Sequence, residues 1–234
     1  MATSSECIER IVAGALSPAP LPRPVRGRSR NSLGAFRQQV RSSLAEFVEV
    51  RPGEAAVSVL AAGDGQITDT TFDVVLADCE LGHEGQPAEV ARDLLASCRP
   101  GGRVGIACPV PGSFIAMILD CVAAHTAVDS GARERGFRGT RRALNALFEQ
   151  DAAALGARDR TATISFPSAE HWLAEWRKSF APLRRAYEHI GPDRRSQFTE
   201  ELLRIVAWFA LPAGGKLAVR CDYIEFMVHK ADQA

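Results

Sequence analysis

The chain of 234 residues is 46% hydrophobic and 24% charged, enough apolar mass for a compact core in one domain with appendages. Its 28 basic side chains balance 28 acidic ones, which excludes the excess of Lys and Arg on which general nucleic-acid binding rests. No stretch approaches the roughly 20 apolar residues needed to cross a bilayer, and MATSSECIERIVAGALS carries acids without a basic start, so neither a span nor a secretory signal is expected.

Residues 3–15 suit a short helix. They run into SPAPLPRPVRGRSRN, whose alternating prolines forbid helix and favour an extended arm over residues 1–31, read as a solvated tail rather than a docking segment. From Ser32 to Val50 the apolar residues Leu33, Phe36, Val40, Leu44, Phe47 and Val48 recur at three- and four-residue spacings, the pattern of an amphipathic helix. Arg51-Pro52-Gly53 ends it. AAVSVLAA (55–62) reads as a strand, GDGQITDTT (63–71) as a turn-rich segment, and FDVVLAD (72–78) as a second strand.

Pro87 to Cys98 forms a helix stopped by RPGG (99–102), and RVGIAC (103–108) a buried strand. A helix follows from Phe114 to Ala124, then an irregular stretch (125–137) and a helix from Arg141 to Gln150. TATISF (161–166) alternates as a half-buried strand. Ser168 caps a helix carrying Trp172 and Trp176, Pro192 opens another running through Trp208, and KLAVRCDYIEFMVHK (216–230) closes the chain as one or two strands. Helices alternating with short apolar strands specify an α/β sheet. Residues 32–234 are one such domain.

The six cysteines, Cys7, Cys79, Cys98, Cys108, Cys121 and Cys221, show no CxxC pair and no Cys/His cluster at metal spacing, so no metal site is expected. Several lie in apolar runs, where reduced cysteine behaves as a small hydrophobe, which suits a reducing, cytoplasmic compartment.

The succession of a helix, RPGE (51–54), VSVLAAGDG (57–65), FDVVLAD and CRPGGRVGIAC resembles the class I S-adenosylmethionine (SAM)-dependent methyltransferases of small molecules. FPSAEHWLAEWRKSFAPL (166–183) and YIEFMVHK (223–230) resemble the C-terminal half of that family, and the resemblance covers roughly Ser32 to Lys230. It implies a Rossmann-like methyltransferase sheet, here reduced to about five strands, with a C-terminal helical cap. It also implies a SAM site at the first glycine-rich turn, where glycines admit the cofactor and the next helix offers its N–H groups. On this sequence that site comprises Gly63, Asp64 and Gly65, together with Asp78 at the end of the later strand.

The pattern is incomplete. Val59 stands where the family carries an acid, and Ala61 replaces the first glycine of the turn. Nine residues (63–71) separate Ala62 from Phe72, where the family places a helix, a strand bearing the ribose-binding acid, a second helix and another strand. Nine extended residues reach roughly 30 Å, against about 23 Å for a strand over 56–62. The two strands are therefore either parallel with a taut return or antiparallel through a GDGQ hairpin. In both cases the strand at 55–62 becomes an apolar edge that something must cover, which implies a homo- or hetero-oligomer. The cofactor is accordingly none, or SAM bound unconventionally.

Asp78, Cys79, Glu80 and His83 fall at the carboxyl end of the sheet, where open α/β folds bind ligands. If the chain is catalytic, His83 is the candidate general base with Glu80 beside it. Cys79 is the weaker nucleophile candidate, and His171, Trp172, Trp176, Tyr187 and His189 form an aromatic region able to line a site for a hydrophobic small molecule. Trp172 and Trp176, one helical turn apart, fit core packing better. Three functions follow: a non-methylating subunit or assembly partner, an active methyltransferase whose site a partner completes, and a SAM-independent cyclase or isomerase.

Overall fold

The computed structural model of the chain describes residues 32–59, 71–78, 87–126 and 139–232. Seven helices and six strands occupy them: α1 (Ser32–Phe47), β1 (Ala56–Val59), β2 (Phe72–Asp78), α2 (Pro87–Ser97), β3 (Cys98–Pro109), α3 (Phe114–Thr126), α4 (Arg141–Phe148), β4 (Ala152–Phe166), α5 (Ala169–Ser179), α6 (Ala181–His189), α7 (Pro192–Phe209), β5 (Ala210–Leu211) and β6 (Leu217–Lys230). The strands form one sheet in the order β1-β2-β3-β6-β4, with β5 also paired to β6. The first three are parallel, and β6 runs antiparallel to β3, β4 and β5. This is a Rossmann-like α/β sheet of the expected size.

Spacing alone left the β1–β2 pairing open; it is parallel, with Val59 opposite Ala77. The twelve residues 60–71 connect the strands, at the lower limit for a parallel crossover. The return from the level of Ala77 to Phe72 is about 16 Å, well within the roughly 40 Å that twelve residues span. Among the described residues no strand lies beyond β1.

Alternation along the strands sorts side chains between two cores. On one face Val74, Leu76, Ala107, Ile164 and Val219 meet α1, α3 and α5–α7. On the other, Val75, Val104, Ile106, Phe226 and Val228 meet α2 and α4. The α1 stripe is buried as its periodicity predicts, through Leu33, Phe36, Val40 and Leu44. Close approach of α1 requires a missing side chain at Gly105, where a Cβ would lie 2.7 Å from Val48 Cγ1 and 3.0 Å from Leu76 Cδ2.

Strands β3 and β4 are longer than their sequence patterns indicate. Residues 152–160 are rich in Ala, Gly and Arg, weak strand formers, yet β4 starts at Ala152. Pairing with β6 overrides that local preference: the ladder continues from Ala152↔Lys230 to Phe166↔Leu217. The closing segment is one strand, β6, and its first residues run past the carboxyl end of β3, since Pro109 pairs with Tyr223. On this overhang Ala162, Ile164, Phe166, Val219 and Cys221 pack with α3 and α5–α7, forming the helical cap.

Inside the α1 face lies an ion pair. Glu225 of β6 is wholly buried, and the Nε of Arg158 on β4 donates to its Oε2 at 2.5 Å. Arg158 Nη2 donates to the Ser43 carbonyl at 2.8 Å, while its guanidinium lies 4.5 Å from the Phe47 ring centroid. One arginine thus joins both long strands to α1. Arg158→Ala strands the Glu225 carboxylate in the core, and a loss of about 3 kcal/mol or more is expected in denaturant unfolding. An unchanged midpoint would remove this pair from the forces holding α1.

Candidate functional site

The motif residues divide between the two ends of the sheet. At the amino ends, Asp73 of β2 accepts the Ala55 N–H through Oδ2 at 2.7 Å and the Arg99 Nε–H through Oδ1 at 2.5 Å. Arg103 of β3 donates from Nη2 to Glu54 at 2.5 Å. The second residue of FDVV, the Arg of RPGG and the Glu of RPGE therefore tie β1, β2 and β3 together. Gly102 completes the joint, since a Cβ there would come within 2.9 Å of the Arg99 and Asp73 carbonyl oxygens. Lys230 Nζ donates to the carbonyls of Leu95 and Cys98, both at 2.7 Å. It thereby caps the C-terminal end of α2. These residues hold strands; they lie at the end of the sheet opposite the carboxyl edge.

At the opposite edge the three parallel strands end side by side, with Asp78 paired to Ala107. Gly63, Asp64, Gly65, Cys79, Glu80 and His83 lie outside the described residues, and of Asp78 only the backbone pairing is described. The stretch Pro109–Ser113 leads from β3 into α3, and Ser113 is buried with its Oγ unpaired. The carboxyl edge is where an open α/β sheet takes a ligand.

Of the aromatic region, Trp172, Trp176 and Tyr187 are core, whereas His171 and His189 are exposed. Trp172 and Trp176 have no exposed surface, and their ring centroids are 5.3 Å apart. Phe114 stands edge-on to both, at 5.9 and 5.6 Å, with Phe166 and Phe180 completing the group around Trp176. These indoles therefore line no open space, and a small-molecule cavity cannot be assigned to them. Ser168 caps α5 as read from the sequence, its Oγ accepting the His171 N–H at 3.2 Å. The Trp208 side of α7 is different: that indole is 85% exposed.

A cluster that the sequence reading missed sits between α3 and α7. Helix α3 continues to Thr126, past the expected end at Ala124, and so places His125 one turn after Cys121 on the same face. His125 Nε2 lies 2.9 Å from Glu201 Oε2, and Cys121 Sγ lies 3.8 Å from the same oxygen. Burial, reinforced by the Glu201 charge and its hydrogen bond, pushes the Cys121 thiol up to about 12. The hydrogen bond from His125 holds the Glu201 carboxyl below its usual range. The signal available in the sequence was Cys121-x3-His125, recognisable once the helix is carried one residue further.

No protein-family model and no curated protein matches the sequence. Among solved structures the chain is similar to a putative methyltransferase from Bacillus halodurans, at 12% identity over 81% of this chain and 98% of that one, with a TM-score of 0.45. It is similar to the YcgJ protein of Bacillus subtilis at 12% identity over 83% and 78%, TM-score 0.44. It is also similar to the cyclase SpnF at 14% identity over 99% and 98%, TM-score 0.41. With every TM-score below 0.5, these similarities assign no role to any residue.

The amino-end joint has a pH signature. The Arg99 hydrogen bond, followed by the Ala55 N–H, lowers the Asp73 carboxyl below its ordinary value. A depressed folded-state carboxyl stabilises fully above the ordinary carboxylate range and loses that contribution as pH falls through the lowered value. Asp73→Asn is expected to unfold at lower temperature than the unmodified protein at neutral pH. The gap should close as both are taken into strong acid; a gap that stays constant across the pH series contradicts the role given to Asp73.

Proposed function

We propose that this chain is a methyltransferase-like subunit that does not itself transfer methyl groups. Its sheet edge over residues 55–62 pairs with a second polypeptide, either another copy of the chain or a different subunit. One observation carries the reading: among the described residues β1 ends the sheet, and twelve residues join it to β2. By the family resemblance, that interval should hold the ribose-binding strand and two helices. A connection at the lower limit of a bare crossover leaves no length for that wall of a SAM site. An unpaired edge strand then presents N–H and C=O groups that a partner strand satisfies.

A second reading keeps methyl transfer. The parallel carboxyl edges of β1–β3 remain together, so a partner that supplied the absent wall would leave Asp78 and the turn at Gly63, Asp64 and Gly65 facing a bound SAM. His83 and Glu80 would then serve as base and neighbour. A cyclase on the same scaffold would need its cavity elsewhere than at Trp172, whose surroundings are filled. No helix among the described residues is long and apolar enough to cross a membrane.

Calorimetric titration of the full chain with SAM and with S-adenosylhomocysteine is expected to give no binding up to the millimolar range. Micromolar binding would overturn the non-methylating reading and put transfer first. Sedimentation at micromolar concentration is expected to report an oligomer of the chain, or a monomer that associates when co-expressed with its partner subunit. A monomer with neither SAM affinity nor a partner in the producing cell would defeat the subunit reading.

A further inference from the structure

We infer that Cys121, His125 and Glu201 form a binding site for one zinc ion between α3 and α7. This site is separate from the carboxyl edge of the sheet and independent of the function proposed above. The three donor atoms, Cys121 Sγ, His125 Nε2 and Glu201 Oε2, all lie within 4.8 Å of one another. Zinc bonds of about 2.0–2.3 Å at tetrahedral angles require donor separations of about 3.3 Å between nitrogen and oxygen and about 3.6 Å between sulfur and oxygen. The observed distances are 2.9 Å for His125–Glu201 and 3.8 Å for Cys121–Glu201. The third pair, Cys121 Sγ and His125 Nε2, lies within 4.8 Å where zinc needs about 3.6 Å, so side-chain movement of up to about an ångström converts the hydrogen-bonded set into a coordinating one.

The chemistry of the set favours a cation over a nucleophile. In a thiol–imidazole–carboxylate relay the imidazole stands between the other two groups. Here the carboxylate oxygen is the shared contact of both, so it opposes formation of a thiolate and cannot relay its proton. A divalent ion at the meeting point reverses this: the thiol gives up its proton, and sulfur and carboxylate together carry the two negative charges that neutralise the metal. Sulfur, nitrogen and oxygen in one site suit borderline Zn(II) better than Mg(II) or Ca(II), which take oxygen alone.

Outer contacts hold the donors. Gln197 Nε2 donates to the other carboxylate oxygen of Glu201 at 3.3 Å, turning Oε2 toward the cluster. The His125 ring packs on Phe198 at 5.0 Å between centroids. Arg194 Nη2 donates to the His125 carbonyl at 3.0 Å, so Gln197 and Arg194 are positioning residues. Cys121 and His125 are buried, while the Glu201 side chain keeps a third of its surface exposed. Three protein ligands with one side open to water leave a fourth position for solvent or a small anion.

The test uses the full chain, reduced and stripped with chelator, titrated with zinc alone and with cobalt as a spectroscopic substitute. One equivalent of metal should bind, with release of about one thiol proton per ion read from calorimetry in buffers of different ionisation enthalpy. Cobalt should produce a thiolate charge-transfer band. His125→Ala and the conservative, partly exposed Glu201→Gln should each weaken zinc by at least roughly tenfold, the scale seen even for outer contacts. Cys121→Ser should abolish the charge-transfer band. Binding below one equivalent overturns the assignment. So does affinity that survives both His125→Ala and Glu201→Gln, which would place the metal on other cysteines of the chain. If Cys121→Ser fails to fold, the Glu201→Gln titration decides alone.

Discussion

Fourteen consecutive residues of β6 must satisfy the backbone hydrogen bonds of a strand that is buried along most of its length, and this requirement organises the molecule. One side of β6 pairs with β4 from end to end. The other side is divided, with β3 taking residues 223–229 and β5 taking residues 218–219. The parallel half of the sheet and the helical cap are thus two ends of one ladder. Neither can shift without breaking main-chain bonds that the interior offers no water to replace.

That ladder also explains the buried charge. Because β4 and β6 are paired with Arg158 opposite Glu225, their side chains emerge together on the α1 face. The arginine stem fills space that a shorter residue would leave empty, and its head reaches a helix carbonyl and the Phe47 ring. Burial of the pair is worth little against a well-packed apolar substitute, but half of it is far worse than none. Its effect is to pin α1 in one register over Gly105, where the helix comes too close for any side chain.

Helix positions were legible wherever an apolar stripe or a cap was strong, as in α1, at Ser168, and at Pro192 opening α7. The FDVV and RPGG motifs were legible as motifs, yet Asp73, Arg99 and Gly102 prove to brace the amino ends of the strands. A motif marks a recurrent piece of chain and does not say whether its residues hold a ligand or hold each other. The Cys121–His125–Glu201 cluster escaped notice for a local reason. Its helix was expected to stop one residue before the histidine, and helix ends are set by contacts that periodicity does not encode. Glu201 lies 76 residues further along the chain, at a half-buried position of an amphipathic helix.

By itself the amino-acid sequence determined the α/β class, the stripes that become the core, and the shortness of the link between β1 and β2. Those features depend on local sterics and hydrophobic spacing, which a few neighbouring residues settle. Only the tertiary structure decided that β1 and β2 are parallel, that residues 152–160 extend a strand against their own propensity, that the two tryptophans are interior, and that three donors from two helices converge. Each of these depends on which distant segment supplies a hydrogen-bond partner or excludes water, and that information exists only once the chain has closed on itself.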